Sequence, residues 1–155
     1  MAKALNDKHV LSSSIASNIA KNPKSSSKAL SLAVKWSKDY GVVLTGMAPV
    51  AMAESPNINN DVLDYLLQNY QYYDATSDLI ANEHLTGEML ETMSNDEHCY
   101  STYHNCKKMM EHPNCTLKVC QNIKKHNMDD ENIVALCDKH IKEKFKQVSE
   151  KISDD

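Results

Sequence analysis

Apolar side chains recur every three or four residues along most of the chain, which is the spacing of one face of an α-helix. Residues 4–20 and 28–40 carry the first two such stripes. Pro23 separates them, the serines at 25–27 supply an N-cap for the second, and Gly41 stops it. The pattern therefore predicts a helical N-terminal arm, followed by an apolar connector that ends at Ala53.

Two helices are predicted after the Asn-rich turn at residues 57–60. The first begins near Asp61. The second begins at Asp74, and its apolar stripe continues to Met93 with Gly87 inside it. Because a single glycine weakens a helix without necessarily ending it, we expect one continuous helix there.

Capping signals mark the helices of the C-terminal half. Ser94 and Glu97 have the spacing of a capping box, so a helix is predicted from there to His112. Asn114 is expected to cap a short helix, and Asp129 or Asp130 the last one. The last helix has the clearest apolar stripe, formed by Val134, Cys137, Ile141, Phe145, Val148 and Ile152.

These elements predict an all-α protein, an antiparallel helical bundle of about six or seven helices. The low content of turn residues, with 3 Gly and 4 Pro in 155 residues, agrees with helices rather than sheets. We detect no internal repeat in the sequence. The expected division is a basic, Ser-rich helical arm with its connector over residues 1–53, and a bundle over residues 54–155.

Charge is distributed unevenly along the chain, although the net charge is only -4. Residues 1–50 contain seven Lys and two acidic residues, whereas residues 51–106 contain ten acidic residues and no Lys. There is no Arg, which argues against bidentate recognition of phosphate or guanine. An acidic middle segment also makes nucleic acid a poor partner, so a protein partner or self-association is favoured.

No apolar run reaches the roughly 20 residues that a membrane span requires. A soluble, cytoplasmic protein is therefore expected. Ala51-Met52-Ala53 resembles a signal-peptidase site, so export after Ala53 is the alternative, although the preceding segment is too long for an ordinary signal peptide.

Cysteine and histidine are concentrated in residues 98–140, which contain all five Cys. One interpretation is buried structural thiols, because Cys99, Cys106 and Cys137 fall on apolar helix faces. A second is a stapled hairpin about Pro113, with Cys106 facing Cys115 and Cys99 facing Cys120, in an oxidising compartment.

The third interpretation is a metal site. Soft thiolate and imidazole ligands suit Zn or Cu, although no CxxC pair or zinc-finger spacing is present. No resident cofactor is otherwise expected. The candidate ligands are Cys106, His112, Cys115, Cys120, Cys137 and His140.

A tyrosine cluster is the candidate interaction surface. Tyr65, Tyr70, Tyr72 and Tyr73 lie within one acidic segment, where a protein interface or a half-buried core explains them better than base stacking.

No nucleophile elbow, P-loop, dinucleotide fingerprint or zincin motif is present. The acidic face with His84, Glu88 and Glu91 lacks the Glu-x-x-His pairs of di-iron bundles. The leading hypothesis is a small non-enzymatic helical protein that binds another protein as an adaptor, regulator or effector. The alternatives are a Cys/His metal-binding protein and, third, a ferritin-like or thiol enzyme.

Overall fold

In a computed structural model the chain is all-helical, which confirms the predicted fold class. The structure describes residues 14–44, 47–69 and 73–153, and side chains within 14–44, 47–69 and 75–145. No strand occurs in these ranges. The ten helices are α1 (14–21), α2 (Ser27–Tyr40), α3 (Ala48–Ala53), α4 (Asn60–Gln68), α5 (Tyr73–Ala81), α6 (Gly87–Met93), α7 (Glu97–Tyr100), α8 (Tyr103–Glu111), α9 (Leu117–His126) and α10 (Glu131–Ser153).

The expected number of six or seven helices is too low, because two predicted helices are interrupted and the predicted connector contains α3. The helix expected over residues 74–93 breaks at 82–86, and the one expected over 94–112 breaks at 101–102. The predicted capping box at Ser94 is also wrong. Asp96 is the N-cap of α7, and its side chain accepts from the His98 N–H.

Several predicted helix ends are confirmed. The Ser26 side chain caps α2 by accepting from the Ala29 N–H, and α2 ends at Gly41, which has the left-handed backbone conformation (φ 63°) that glycine adopts without strain. Asp130 caps α10, since its Oδ1 accepts from the Ile133 N–H at 3.1 Å.

The chain forms two compact units, Met1–His84 and Leu85–Asp155. In the first unit α2 packs on α4, and α3 packs on both α4 and α5. In the second unit α9 packs on α6, α8 and α10, and α8 also contacts α7 and α10. The boundary expected at residue 53 is a different division and stays a prediction.

Both cores are apolar, and that of the second unit is rich in methionine and cysteine. Fully buried side chains of the first unit include Leu30, Leu44, Met52 and Leu63, and those of the second include Leu85, Leu90, Met93, Met109, Met110 and Ile123. On α10, Ile133 and Cys137 are buried, whereas Val134, Ile141 and Phe145 are half-buried. The predicted stripe positions 148 and 152 lie outside the described side chains. Within the described residues, no helix combines the length and apolarity needed to span a bilayer.

Candidate functional site

The structure contains an internal repeat, which the sequence did not reveal. Two helices joined by a short turn occur four times, as copy 1 (residues 14–40), copy 2 (48–68), copy 3 (73–93) and copy 4 (103–126). The turn is the last five residues before the second helix; in copy 2 one further residue, Glu54, precedes it. Each turn ends on an N-cap whose side-chain oxygen accepts a hydrogen bond from the backbone N–H three residues later. The N-caps are Ser26, Asn59, Thr86 and Thr116, about 30 residues apart.

The first residue of each turn makes a second repeated hydrogen bond. Its side chain accepts from the backbone N–H two residues later, which closes the turn. Residue types differ while the bond is kept: the acceptors are Asn22 (2.9 Å), Ser55 (3.1 Å), Asn82 (2.9 Å) and, through Nδ1, His112 (3.0 Å). His112, a predicted metal ligand, therefore occupies a structural position in the turn.

The residue before each N-cap is buried, so every turn contributes a side chain to the core. These residues are Ser25, Ile58, Leu85 and Cys115. The residue four positions after each N-cap is also buried, namely Leu30, Leu63, Leu90 and Cys120. The fourth copy thus places two thiols where the second and third copies place aliphatic pairs.

Neighbouring copies are joined by asparagine side chains. In the first unit, Asn57 Nδ2 donates to the Ser25 carbonyl oxygen at 3.0 Å. In the second unit, Asn114 Nδ2 donates in the equivalent way to the Leu85 carbonyl oxygen at 2.8 Å. Because both bonds run between equivalent positions, each unit stacks its copies in the same register.

In copies 2 and 4, one stripe on the second helix contacts the preceding copy, whereas in copy 3 the equivalent Glu88 and Thr92 are exposed polar residues. We call it the front stripe; it comprises the residues two, six and ten positions after the N-cap. In copy 2, Asp61 accepts from the Ser31 hydroxyl at 2.7 Å, and the Tyr65 hydroxyl lies 2.9 Å from Ser37 Oγ.

The front stripe of copy 4 makes the equivalent contacts within the second unit. Lys118 Nζ lies 3.8 Å from Glu91 Oε2, and Asn122 Nδ2 donates to Ser94 Oγ at 3.0 Å. His126 Nε2 lies 3.0 Å from the Asn95 side-chain oxygen.

In copy 1 two of the three stripe residues, Lys28 and Leu32, are exposed, and the third, Trp36, is half-buried. Leu32 is 57% exposed although its equivalent in copy 2, Tyr65, is 3% exposed. Ile15 on α1 is 59% exposed as well. Together they border an apolar groove of about 210 Å³, which is lined by Ile15, Ala16, Ile19, Leu32, Ala33 and Trp36.

The five cysteines are free thiols, and all are buried. Neither disulfide of the hairpin hypothesis, Cys106–Cys115 or Cys99–Cys120, is formed. Instead Cys115 Sγ lies 3.9 Å from Cys120 Sγ, beneath the turn of copy 4. Cys106 donates to the Tyr100 carbonyl oxygen at 3.1 Å.

Burial determines the acidity of most of these thiols. It raises the pKa of Cys99 and Cys137 to about 12 and that of Cys106 to about 11. The hydrogen bond between Cys115 and Cys120 raises the pKa of Cys115 and lowers that of Cys120, which Lys144 lowers further. Of these two thiols, Cys120 is therefore the one whose thiolate is stabilised.

The predicted metal ligands lie on three elements of the second unit and its copy-4 turn. Within residues 14–44, 47–69 and 73–153, no three His, Cys, Asp or Glu side chains are arranged as a ligand group. His112 Nδ1 faces the Asn114 N–H, its carbonyl accepts from Lys144 Nζ at 3.0 Å, and His140 is half-buried on α10. The metal assignment stays a prediction.

The tyrosine surface is described only in part. Tyr65 is buried, and its hydroxyl accepts from the Leu44 N–H at 2.9 Å while it contacts Ser37. Tyr70 and Tyr72 lie outside the described residues, as does the side chain of Tyr73. Their role at an interface stays a prediction.

Comparison with known protein families, with curated proteins and with solved structures finds no match for this chain. The candidate site is therefore defined by the geometry of the chain itself: the repeated turns, the exposed front stripe of copy 1 and the thiol pair of copy 4.

Proposed function

We propose that this protein is a non-enzymatic helical-repeat scaffold that binds another protein, as an adaptor, regulator or effector. The observation that supports it is the fourfold turn. Stacked helical repeats form surfaces that neighbouring copies share, and proteins built this way present such surfaces to other macromolecules. We further propose that the two helices run antiparallel in copies 1, 2 and 4, each of which lies within one unit, as the sequence predicted. We also propose that the protein is soluble and cytoplasmic, with export after Ala53 as the alternative.

Position-specific photo-crosslinking tests this function. A photoreactive phenylalanine analogue would replace exposed residues one at a time, at Leu32, Met47, Tyr103 and Met128, which are 57%, 65%, 47% and 63% exposed. In the cells that make the protein, we expect a discrete adduct from positions on one surface and none from the others. Absence of any adduct at all four positions would contradict the proposal.

A metal-binding protein is the alternative, supported by the Cys115–Cys120 sulfur pair. Elemental analysis of the purified protein separates the two, because a scaffold with structural thiols contains no stoichiometric Zn, Cu or Fe. A thiol count in denaturant should then find five reactive groups without prior chelation or reduction. One equivalent of bound metal that protects Cys115 and Cys120 from alkylation would favour the alternative.

A further inference from the structure

We infer that the front stripe of copy 1 binds an amphipathic helix with acidic residues on its flank, supplied by a partner protein. This inference rests on the proposed function and names the kind of partner and the surface. It concerns Lys28, Leu32 and Trp36 on α2, together with Ile15 and Ile19 on α1.

The shape of the occupant follows from equivalent positions. In copy 2 the stripe residues Asp61 and Tyr65 contact α2, and in copy 4 the stripe residues contact α6 and the segment that follows it. In both cases a helix of the preceding copy lies along the stripe. The first two of these positions in copy 1, Lys28 and Leu32, are exposed, so a helix in the same register is the occupant that the surface fits.

The charge of the occupant follows from the first residue of the stripe. In copy 4 this residue is Lys118, and it pairs with Glu91 of the preceding copy. Copy 1 also has a lysine there, Lys28, so an acidic side chain opposite it completes the same pair. The described part of this arm adds positive charge, since Lys21, Lys24, Lys35 and Lys38 are all exposed and Asp39 is its one acidic residue between 14 and 44.

The apolar part of the occupant follows from the groove. Ile15 and Leu32 are more than half exposed, whereas Ala16 and Ala33 between them are buried at its floor. A volume of about 210 Å³ accommodates one or two aliphatic side chains spaced along a helix. The exposed Lys28, on the same stripe as Leu32, disfavours a second copy of the same face, because two like charges would meet.

The probe for this surface is a synthetic 18-residue helical peptide with a leucine stripe and glutamates on both flanks, and its control replaces every glutamate with lysine. Trp36 is the single tryptophan of the chain, so its emission reports binding directly. We expect a blue shift with the Glu peptide, at least roughly tenfold weaker binding of the Lys peptide, and weakening of the Glu complex by salt.

Three substitutions test where on the protein the Glu peptide binds. Leu32→Glu should abolish the shift and Lys28→Glu should weaken binding several-fold, while Met128→Glu, at an exposed site of the second unit, should bind as the wild type does. Circular dichroism checks that each variant is folded. If Leu32→Glu does not fold, Lys28→Glu still tests the surface.

Three results would overturn the inference. They are equal binding of both peptides, no binding of either, and a wild-type dimer in sedimentation velocity that Leu32→Glu converts to monomer. The last would assign the face to a second copy of the chain. A photo-adduct at Tyr103 or Met128 with no peptide binding at Leu32 would refute this inference and leave the proposed function intact.

Discussion

Asn114 donates a hydrogen bond from its side-chain amide to the carbonyl oxygen of Leu85, 2.8 Å away. Leu85 precedes the N-cap of copy 3, and Asn57 makes the same bond to Ser25 before the N-cap of copy 1. In both cases a side-chain amide donates to a backbone carbonyl oxygen that lies in a turn, outside the hydrogen bonds of any helix.

Replacing either asparagine should therefore destabilise the stack. We expect Asn114→Ala and Asn57→Ala each to lower the free energy of unfolding by about 1–2 kcal/mol, because a backbone carbonyl loses its donor. Urea denaturation measures the loss. Asn18→Ala, at an exposed position of α1, is the matched control and should change stability by less than about 0.5 kcal/mol. Equal losses at all three sites would contradict the repeated role.

Gly87 is required by close packing at the start of α6. A Cβ there would lie 2.8 Å from Thr116 Cγ2 and 3.3 Å from the Asn114 carbonyl oxygen. Although alanine favours helices, we expect Gly87→Ala to destabilise the protein by about 1–2 kcal/mol, since Thr116 is held by its cap and by Glu91.

A second substitution at Thr116 tests the cause. Thr116→Ser removes the methyl group that clashes and keeps the hydroxyl that caps α9. In that background Gly87→Ala should cost less than half as much in thermal or urea denaturation. An unchanged cost would place the strain at the Asn114 carbonyl instead.

Cys120 should ionise before the other four thiols. The Cys115 thiol and Lys144 both stabilise its thiolate, and so its pKa falls below the ordinary value of 9.0. Thiolate absorbance at 240 nm, followed upward from pH 6, should show one group titrating first. Cys115→Ala should shift this step to higher pH, and Cys120→Ala should remove it, while Cys99→Ala should leave it unchanged. A first step that survives Cys120→Ala would assign it to another thiol.

The buried thiols should weaken the fold in alkali. Cys99 and Cys137, with pKa raised to about 12, and Cys106, with pKa raised to about 11, keep their protons in the folded chain after unfolded thiols ionise near 9.0. Their stabilisation is complete below pH 9 and is lost as the pH rises toward 11–12. Each thiol should steepen the decline by up to about 1.4 kcal/mol per pH unit.

Urea denaturation between pH 8 and pH 10.5, in the presence of reductant, measures this slope. Cys99→Ala should lower the free energy of unfolding at every pH. Above pH 9 this free energy should fall less steeply in the variant than in the wild type, by up to the slope of about 1.4 kcal/mol per pH unit that one proton contributes. Contributions from Tyr and Lys are common to both proteins and cancel in the difference. Parallel curves would show that Cys99 ionises normally.

The sequence predicted the helices well where local chemistry marks their ends, as at Ser26, Gly41 and Asp130. It missed the break at residues 82–86 because Leu85 is an apolar residue inside the turn, so the hydrophobic stripe continues through it. Copy 3 also has Glu83 where the other copies have Pro23, Pro56 and Pro113, and so lacks the proline that marks the turn elsewhere.

The repeat was hidden for a related reason. Asn, Ser, Asn and His make the same turn-closing bond, and thiols in copy 4 replace aliphatic side chains, so residue identity varies while geometry is kept. The front stripe was missed because its position is defined by contacts between copies. The sequence alone predicts that Trp36 is a packing residue. It is assigned to a docking surface only because its position is equivalent to positions that contact the preceding copy.

The last five residues before the second helix form the same turn in every copy, although α3 of copy 2 ends one residue before that turn, whereas the segments between copies differ more in length. Deleting one residue from a turn would rotate the following helix by about 100° relative to its core face, since an α-helix has 3.6 residues per turn. The inter-copy segments differ in length, although they too contain buried residues such as Leu44 and Cys99. Insertions and deletions that accumulate as this chain diverges should therefore be rarer within the turns than between the copies.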